Sequence, residues 1–523
     1  MALPRIFLLT AIAAILCSCA QLPKGYEVGK TTAITGTEDT GLGLRSIADR
    51  QDHLDESRVI SLTDGVDAFY IRAALINAAE RSLDLQYFLW HKDLTGQVLL
   101  NSVLAAADRG VRVRMLLDDL DNQELDPEFY ALDTHPNISI RLFNPFATRG
   151  FKYFDFFTDT ARVNRRMHNK SLTADSQYTI VGGRNIGDEY FDAQPDTNFY
   201  DFDVLVTGPA VEEVSTQFDI FWNHETAVPV YAFKQNTATA EDLKTVRASL
   251  SEHMEAAMDS RYADDVRSSN IANALIGEGV DAYVGEAHVV WDDPDKGLGK
   301  PVDEIATMKD LMGPYFRSAD EEIIMISPYY VPGDRVVATT VDRVKKGVSV
   351  AVLTNSYAST DSGVVHAGYS NYREPLLAGG VHIYELKPDS RRERRPGQVA
   401  YKSAASLHTK VFILDREIVF IGSLNLDPRS IDINTEMGIV FHSPEMAADL
   451  AKALDEKGLE HVYELRLVRS PAESKGEFTT YTWSIEWLEQ VDGETIRHTS
   501  EPGVGAWETI KLFFNGLAPE SLI

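Results

Sequence analysis

The stretch RRMHNKSLTAD, residues 165–175, carries a pattern that returns in LHTKVFILD, residues 407–415. Each copy holds a histidine, then a lysine two places on, then an aspartate five places after the lysine. The six residues are His168, Lys170 and Asp175 in the first copy and His408, Lys410 and Asp415 in the second. One such pattern arises easily by chance, whereas two copies about 240 residues apart indicate that a whole domain has been duplicated.

The sequence before each copy also repeats, as a strand, a helix and a strand. Alternating and helical hydrophobic patterns predict these elements at 82–89, 96–110 and 111–117, and again at 322–330, 335–347 and 348–354. Both predicted helices end at a glycine, Gly110 and Gly347, which is a common helix terminator. The pattern predicts an α/β fold of two pseudo-repeated lobes, each a mixed sheet flanked by helices.

Two further residue types recur at matched positions. Asn185 and Asn425 each stand seventeen residues after the histidine of their copy, and Asp201 and Glu436 follow within similar apolar strands. Each copy therefore offers an imidazole, an ammonium, an amide and a carboxylate group. Such a set suits displacement at a phosphodiester, because ammonium and amide groups stabilise the negative charge that develops on the nonbridging oxygens.

The two histidines can divide the proton and phosphorus chemistry. One can attack phosphorus while the other protonates the leaving oxygen, and a carboxylate behind each ring can fix its orientation. We expect no metal and no cofactor, because the two lysines supply the positive charge. Asp175 and Asp415 belong to the candidate catalytic motif, although their position at the start of a tight turn favours a structural role.

Composition narrows the class of protein. The chain has 523 residues, is 44% hydrophobic and carries a formal net charge of -29, which is ordinary globular composition with length for two domains. An acidic chain is not expected to bind nucleic acid nonspecifically. Its two cysteines are Cys17 and Cys19, so the globular part has no disulfide, thiol nucleophile or cysteine metal ligand.

The N-terminus, MALPRIFLLTAIAAILCSCAQ, has one positive charge followed by an apolar run that is too short to span a bilayer. This is typical of a secretory signal, and the end of the run resembles a bacterial lipobox with Cys19 as the lipidated residue. A plain signal peptide cut nearby is the alternative. We expect a membrane-anchored lipoprotein on the periplasmic face of the outer membrane, although the sequence does not distinguish the inner from the outer membrane.

The predicted organisation is a signal peptide (1–18), a tether (19–60), a first lobe (61–239), a helical insert or connection (240–300) and a second lobe (301–523). Helical spacing at 240–260 indicates an insert packed on one lobe, with a partner-binding helix as the alternative.

The aromatic run FKYFDFF, 151–157, is either core or a lipid contact. The basic run RRERR, 391–395, either meets anionic headgroups or is a solvated loop. His366 either lines the active site or has a packing role in the protein core.

The segments NRRMHNKSLTADSQYTIVGGRNIGDEYF (164–191), HAGYSNYREPLLAGGVHIYEL (366–386) and SLHTKVFILDREIVFIGSLNLDPRS (406–430) resemble the phospholipase D superfamily, in particular bacterial cardiolipin synthases of the C-type. The resemblance covers roughly residues 60–520. It implies one active site at the interface of the two lobes, with His168 as nucleophile and His408 as general acid. Asp201 is then expected to orient His168, and Glu436 to orient His408.

The resemblance also implies a reaction, the transfer of a phosphatidyl group through a phosphohistidine to an alcohol. Phosphatidylglycerol as acceptor gives cardiolipin, and phosphatidylethanolamine is a further possible substrate at the membrane surface. Three alternatives stay open: a hydrolytic phospholipase D, a nuclease of the same superfamily, and an inactive lipid-binding lipoprotein. The sequence does not choose between transfer and hydrolysis.

Overall fold

The computed structural model describes residues 22–50, 52–194, 197–269, 271, 282–388, 404–454, 458–475 and 478–515. The predicted signal peptide, Cys19 and the basic run at 391–395 lie outside these residues. Within the described part of the chain, no helix is long and apolar enough to cross a membrane.

The first lobe contains a nine-stranded mixed sheet with the strand order β10-β1-β8-β6-β5-β2-β3-β4-β9. Strands β2, β3 and β4 are parallel to one another, and β5 pairs antiparallel to β2. In chain order its elements are α1 (Gly41–Asp49), β1 (Ser57–Leu62), α2 (Gly65–Ala78), β2 (Ser82–Tyr87), α3 (Leu94–Asp108), β3 (Arg112–Asp118), α4 (Asp126–Leu132), β4 (Ile138–Phe143), α5 (Asp155–Thr158), α6 (Thr160–Val163), β5 (Ser171–Ala174), β6 (Tyr178–Gly182), β7 (Thr197–Tyr200), β8 (Asp203–Thr207), α7 (Ala210–Trp222), β9 (Ala227–Pro229), α8 (Ala240–Met258), α9 (Arg261–Arg267) and β10 (Tyr283–Gly285).

The second lobe contains a ten-stranded mixed sheet with the order β11-β18-β17-β16-β12-β13-β14-β19-β20-β21. Its parallel strands β12, β13 and β14 correspond to β2, β3 and β4 of the first lobe. In chain order its elements are β11 (Ala287–Trp291), α10 (Met308–Ser318), β12 (Glu322–Ile326), α11 (Gly333–Lys345), β13 (Ser349–Asn355), α12 (Gly363–Ser370), α13 (Arg373–Ala378), β14 (His382–Leu386), β15 (Ala404–Leu407), β16 (Val411–Leu414), β17 (Ile418–Gly422), α14 (Pro428–Asp432), β18 (Met437–His442), α15 (Pro444–Ala451), β19 (Val462–Lys475), β20 (Phe478–Val491), β21 (Glu494–His498) and α16 (Ala506–Asn515).

The predicted strand–helix–strand repeats are confirmed as β2-α3-β3 and β12-α11-β13. Helix α3 begins after Asp93, whose side chain accepts a hydrogen bond from the backbone N–H of Gly96 at 2.9 Å. After each helix the chain reverses at a glycine with positive φ, 98° at Gly110 and 99° at Gly347, a conformation that side chains with a Cβ rarely adopt. The duplicated halves thus use the same device to return each helix to its sheet.

The segment predicted as a tether differs from that expectation, because residues 22–50 lie against the first lobe. Thr31 accepts hydrogen bonds from Arg114 Nη1 at its backbone oxygen (3.0 Å) and from Trp222 Nε1 at its hydroxyl (2.9 Å). The predicted limits at residues 60 and 300 also fall elsewhere: β1 begins at Ser57, and β11 already belongs to the second sheet. Helix α8 packs on the first lobe through Leu250, as an insert should.

The two lobes meet through an apolar layer formed by one face of each sheet. Both lobes contribute buried aliphatic side chains to it, among them Val59, Val181 and Val206 from the first lobe and Ile324, Val411 and Ile439 from the second. At one end of this layer, β7 and β15 form a short parallel sheet that joins the lobes through backbone hydrogen bonds. The interface is therefore an extended core, and it fixes how the two motif copies face each other.

Candidate active site between the lobes

Each motif histidine lies where a backbone hydrogen bond joins the two lobes. The backbone N–H of His168 donates to the carbonyl of Thr435 at 2.9 Å, and that of His408 donates to the carbonyl of Tyr200 at 2.7 Å. Both histidines are buried, with 8% and 6% of their surface exposed. Both motif copies therefore lie at the lobe interface, and the charge of Lys410 acts on His168 and Lys170, so the two copies are close enough to form one site.

The orienting carboxylates come from the opposite lobes, which corrects the expected pairing. Nδ1 of His168 lies 2.9 Å from Glu436 Oε2, and Nδ1 of His408 lies 2.6 Å from Asp201 Oδ2. We expected Asp201 behind His168 and Glu436 behind His408, and that assignment is wrong. The physical reason is the backbone pairing across the interface, because each acid directly follows the residue, Tyr200 or Thr435, whose carbonyl holds the opposing histidine.

The hydrogen bond to a carboxylate sets the tautomer of each histidine. Nδ1–H donates to the acid, so Nε2 keeps its lone pair for chemistry. Burial, reinforced by the charges of Lys170 and Lys410 and opposed by Glu436, lowers the pKa of His168 to about 4. Burial and Lys410 also lower the pKa of His408, against the opposing effect of Asp201. Both rings are therefore neutral near pH 7 before a substrate binds.

The two lysines are the cations of the site. Each Nζ donates to the carbonyl of the histidine in its own motif, with 2.5 Å between Lys170 Nζ and His168 O. Burial, together with the charge of Lys410, lowers the pKa of Lys170 to about 7, and burial lowers that of Lys410 to about 8. Neither lysine is hydrogen-bonded to a carboxylate among the described residues, so their charge is available to an anionic substrate.

Aromatic rings hold both imidazoles, and the sequence analysis missed them. The ring of Phe88 packs edge-on against His168 at 5.1 Å, and Tyr190 and Phe199 contact His408 at 5.3 and 5.1 Å between ring centroids. The repeat gave no matching signal at Phe88, because Pro328 occupies the corresponding position after β12 in the second copy. These rings exclude water from the site and strengthen every charge interaction in it.

The two asparagines have different surroundings. Asn185 is engaged within its own lobe, since its Nδ2 donates to the hydroxyl of Tyr190 at 2.9 Å and its Oδ1 accepts from the backbone of Leu89 at 3.2 Å. Asn425 lines the cavity beside His168, and its buried Oδ1 has no hydrogen-bond partner among the described residues. Asn425 is thus the asparagine that faces a substrate most directly.

Asp175 and Asp415 lie outside the chemistry, so their inclusion among candidate catalytic residues is corrected. The carboxylate of Asp175 accepts three backbone N–H groups, from residues 80–82, at 2.7 to 3.0 Å. Asp415 accepts from residues 320–322 at 2.8 to 2.9 Å. Both adopt positive φ, 51° and 52°, in the turn after the motif strand. They tie that turn to the start of the neighbouring central strand, which is a structural role.

Two other histidines, His366 and His91, have structural partners. His366 packs on Tyr369, and its Nε2 lies 2.7 Å from Glu501. His91 belongs to the one group among the described residues with the arrangement of a metal site, together with Asp93 and Glu189. Hydrogen bonds to Asp121 and Glu189 raise the pKa of His91 to about 10.

A cavity of about 260 Å³ opens beside His168. The aromatic residues Phe88 and Tyr329 and the aliphatic pair Val364 and Val365 form one part of its wall. A polar part of the wall comes from Asn425, Asp427, Arg429, Ser430 and Asn434. A second cavity, of about 310 Å³, lies at the edge of the first lobe and is lined by none of the motif residues. Of these two cavities, only the one beside His168 is lined by a candidate catalytic residue.

Comparison with known proteins agrees with this geometry. The family model described as "Cardiolipin synthase, PLD-like domain" matches residues 73–222 and 314–457, one segment in each lobe. The chain belongs to this family of phospholipase D-like proteins, and its enzyme class is the phospholipase D-type phosphatidyltransferases. Each matched segment includes one copy of the histidine–lysine motif.

Individual relatives support the same family. Cardiolipin synthase C of Escherichia coli (strain K12) is 38% identical over 473 residues, which cover 89% of this chain and 96% of the relative. The major cardiolipin synthase ClsA of Bacillus subtilis (strain 168) is 22% identical over 403 residues, 77% of this chain and 69% of the relative. The crystal structure of phosphatidylserine synthase from Haemophilus influenzae Rd KW20 has a TM-score of 0.52 at 13% identity, over 80% of this chain and 92% of that chain, and supports the fold alone.

The lowered lysine pKa values predict a pH dependence. Below pH 7 both lysines are charged and His168, with a pKa of about 4, is still neutral, while His408, whose pKa is lowered, must be protonated to act as the expected general acid, so kcat/KM is expected to be highest on the acid side of neutrality. As pH rises through 7 and 8, the free enzyme loses the positive charge that attracts a phosphodiester, and kcat/KM falls about tenfold per unit of pH for each lysine lost. A bound anion raises the lysine pKa values, so the fall in kcat should occur at higher pH. A kcat/KM profile that stays level to pH 9 would contradict this account.

Proposed function

We propose that the protein transfers phosphatidyl groups between membrane glycerophospholipids through a phosphohistidine, with phosphatidylglycerol as acceptor and cardiolipin as product. The observation that carries the proposal is the pair of neutral histidines at one interface, each hydrogen-bonded to a carboxylate of the other lobe and flanked by two buried lysines. The family and its cardiolipin synthase relatives support the choice of lipid substrate.

In the first half-reaction Nε2 of His168 attacks the phosphorus of the donor lipid. The N–P bond forms as the P–O bond to the headgroup breaks, and the leaving oxygen takes a proton from His408. An anionic phosphodiester beside His408 raises the pKa of that ring, which favours the protonated form that a general acid requires. Lys170 and Lys410 stabilise the charge on the nonbridging oxygens, and Glu436 stabilises the positive charge that develops on His168.

In the second half-reaction an acceptor hydroxyl replaces the headgroup. His408 removes the hydroxyl proton, the new P–O bond forms, and the N–P bond to His168 breaks. Water as the acceptor gives phosphatidic acid, and an alcohol gives a new phosphodiester. Phenyl rings around the histidines and the aliphatic part of the cavity wall favour an alcohol over water, because they exclude solvent from the phosphoenzyme.

The test is a product analysis by mass spectrometry with purified protein and vesicles of labelled phosphatidylglycerol, with and without labelled phosphatidylethanolamine. We expect labelled cardiolipin, and the same yield in the presence of EDTA, because the lysines supply the charge. Phosphatidic acid as the only product would replace transfer with hydrolysis. Loss of all activity on chelation, restored by one divalent ion, would contradict the metal-free mechanism.

The proposed working place is the membrane surface, with an anchor at a lipidated Cys19 in the outer membrane of a bacterium. Two or three acyl chains on one cysteine suffice for stable anchoring. Three exposed aromatic side chains, Phe151, Tyr153 and Phe157, just before the first motif support contact with lipid rather than a core role.

Cys19→Ser should abolish incorporation of labelled palmitate and leave uncut precursor. Normal processing at the same bond would exclude the lipobox.

A further inference from the structure

Arg429 is a partly buried cation whose side-chain hydrogen bonds go only to neutral groups. Its Nη1 donates to Asn164 Oδ1 at 2.7 Å, and its Nη2 donates to the backbone oxygen of the same residue at 2.8 Å. No carboxylate lies within ion-pair distance of it among the described residues. Burial lowers the pKa of Arg429. A guanidinium that is partly withdrawn from water and has no ion-pair partner has lost solvation, so an approaching anion is attracted to it.

Six buried arginines of this protein have carboxylate partners, whereas buried Arg141 donates to the carbonyls of Trp222 and Gly29. The pairs are Arg72–Asp203, Arg114–Asp84, Arg149–Asp119, Arg166–Asp118, Arg184–Asp203 and Arg373–Glu385. Arg429 differs from them and also lines the cavity beside His168. The nearby Asp427 caps α14 by accepting from the backbone of Ser430 at 2.9 Å, and burial raises its pKa to about 7; its charge opposes the effect of burial on the pKa of Arg429 without forming an ion pair with the guanidinium.

The duplicated halves differ at this position. Arg429 comes four residues after Asn425, and the residue four places after Asn185 in the first copy is Glu189. Glu189 is engaged with His91, at 3.1 Å from its Nδ1. The histidines and lysines occur in both halves and can share one reacting phosphate, whereas the cation at 429 has no equivalent in the first lobe. A second anion could therefore be bound by a cation of its own, and this cation lies on the side of the second lobe only.

We propose that Arg429 binds the phosphate of the acceptor, so that the site selects an alcohol that itself carries a phosphate group. This inference rests on the proposed transfer function. A cavity of about 260 Å³ suits it, since a water takes about 30 Å³ in the liquid and the volume holds a group of roughly ten heavy atoms, such as glycerophosphate. Ser430 and Asn434 on the same wall can hydrogen-bond the same group. The phosphate can belong to a lipid headgroup or to a soluble glycerophosphate.

The experiment isolates the acceptor step with a labelled phosphatidyl-p-nitrophenol donor, whose leaving group needs no acid. The partition ratio of transfer product to phosphatidic acid is measured for glycerol, glycerol 1-phosphate and phosphatidylglycerol in mixed micelles. Arg429→Gln should lower the ratio for both phosphate-bearing acceptors by roughly 10- to 100-fold relative to the ratio for glycerol. Arg429→Lys should recover part of the difference. If Arg429→Gln lowers the ratio for only one of the two phosphate-bearing acceptors, that acceptor shows whether the site binds a soluble glycerophosphate or a lipid headgroup.

A second variant protects the test against misfolding. Asn164→Asp keeps the size of the side chain and both hydrogen bonds to Arg429 but supplies a permanent carboxylate partner, so it should lower phosphate selectivity like Arg429→Gln. Arg416→Gln, at an exposed arginine paired with Glu322, is the matched control and should keep the wild-type ratios. Equal loss with glycerol and phosphate acceptors, or wild-type selectivity in Asn164→Asp, overturns the proposal. Wild-type protein that transfers to no alcohol refutes instead the proposed function.

Discussion

His168→Ala is expected to lose at least roughly 10⁴-fold in kcat on lipid and on a p-nitrophenyl phosphodiester, because it removes the proposed nucleophile of the first half-reaction. His408→Ala should lose lipid turnover to a similar extent, since a lipid headgroup is a poor leaving group and needs the acid. It should nevertheless release a burst of about one nitrophenol per enzyme, because a nitrophenolate leaves unaided. The enzyme should then stall as phosphohistidine, since His408 must also activate the acceptor.

The burst is measured by stopped-flow absorbance, and the stalled species by intact-protein mass. His288→Ala, at a half-exposed histidine paired with Glu286, is the control and should behave as wild type. A burst in His168→Ala instead of His408→Ala would reverse the roles of the two residues. Two variants with unimpaired lipid turnover would end the two-histidine mechanism.

The second large effect concerns the crossed carboxylates. Glu436→Gln should slow the nitrophenol burst by roughly 10²- to 10⁴-fold, because it removes the charge that stabilises the imidazolium of His168 as the phosphoenzyme forms. Asp201→Asn should leave the burst within about threefold of wild type and instead slow steady-state turnover, because its partner is His408. The two amides keep the shape of the acids, so the comparison isolates charge.

If Asp201→Asn abolishes the burst instead, Asp201 orients His168 of its own lobe. That result would show that the crossed contacts between the lobes are not formed in solution. Glu321→Gln, at an exposed acid of the second lobe, controls for the loss of one negative charge from the protein. Near-UV circular dichroism of each variant separates a chemical effect from a loss of packing.

The duplicated framework could be predicted because it is local. Strand and helix periods and the terminal glycines at 110 and 347 are properties of neighbouring residues, and they gave the order of elements correctly. The N-terminal segment could not be placed in this way. Its polar and threonine-rich sequence has no period, and it is held by long-range hydrogen bonds such as the one from Trp222 to Thr31.

The chemical groups of the site could also be predicted, whereas their partners could not. Matched spacing identified Asp201 and Glu436 as acids, but spacing within one copy says nothing about which copy an acid faces. That choice is made by the pairing of β7 with β15 and by the bridge between Met167 and Thr435, which join residues more than 200 positions apart. Arg429 escaped notice for a related reason, because it breaks the repeat by which the other residues were found.

The exchange of backbone and carboxylate contacts across the interface has an evolutionary consequence. A single lobe with these crossed contacts could find its acid only on a second, identical chain. Once the copies were fused and each histidine depended on the other half, neither half could be lost or could reposition its acid without inactivating both histidines. Positions that take no part in these crossed contacts were free to diverge. One such pair is formed by the matched positions 189 and 429, which hold Glu189 in the first copy and Arg429 in the second. A symmetric pair of half-sites could in this way acquire a donor side and an acceptor side.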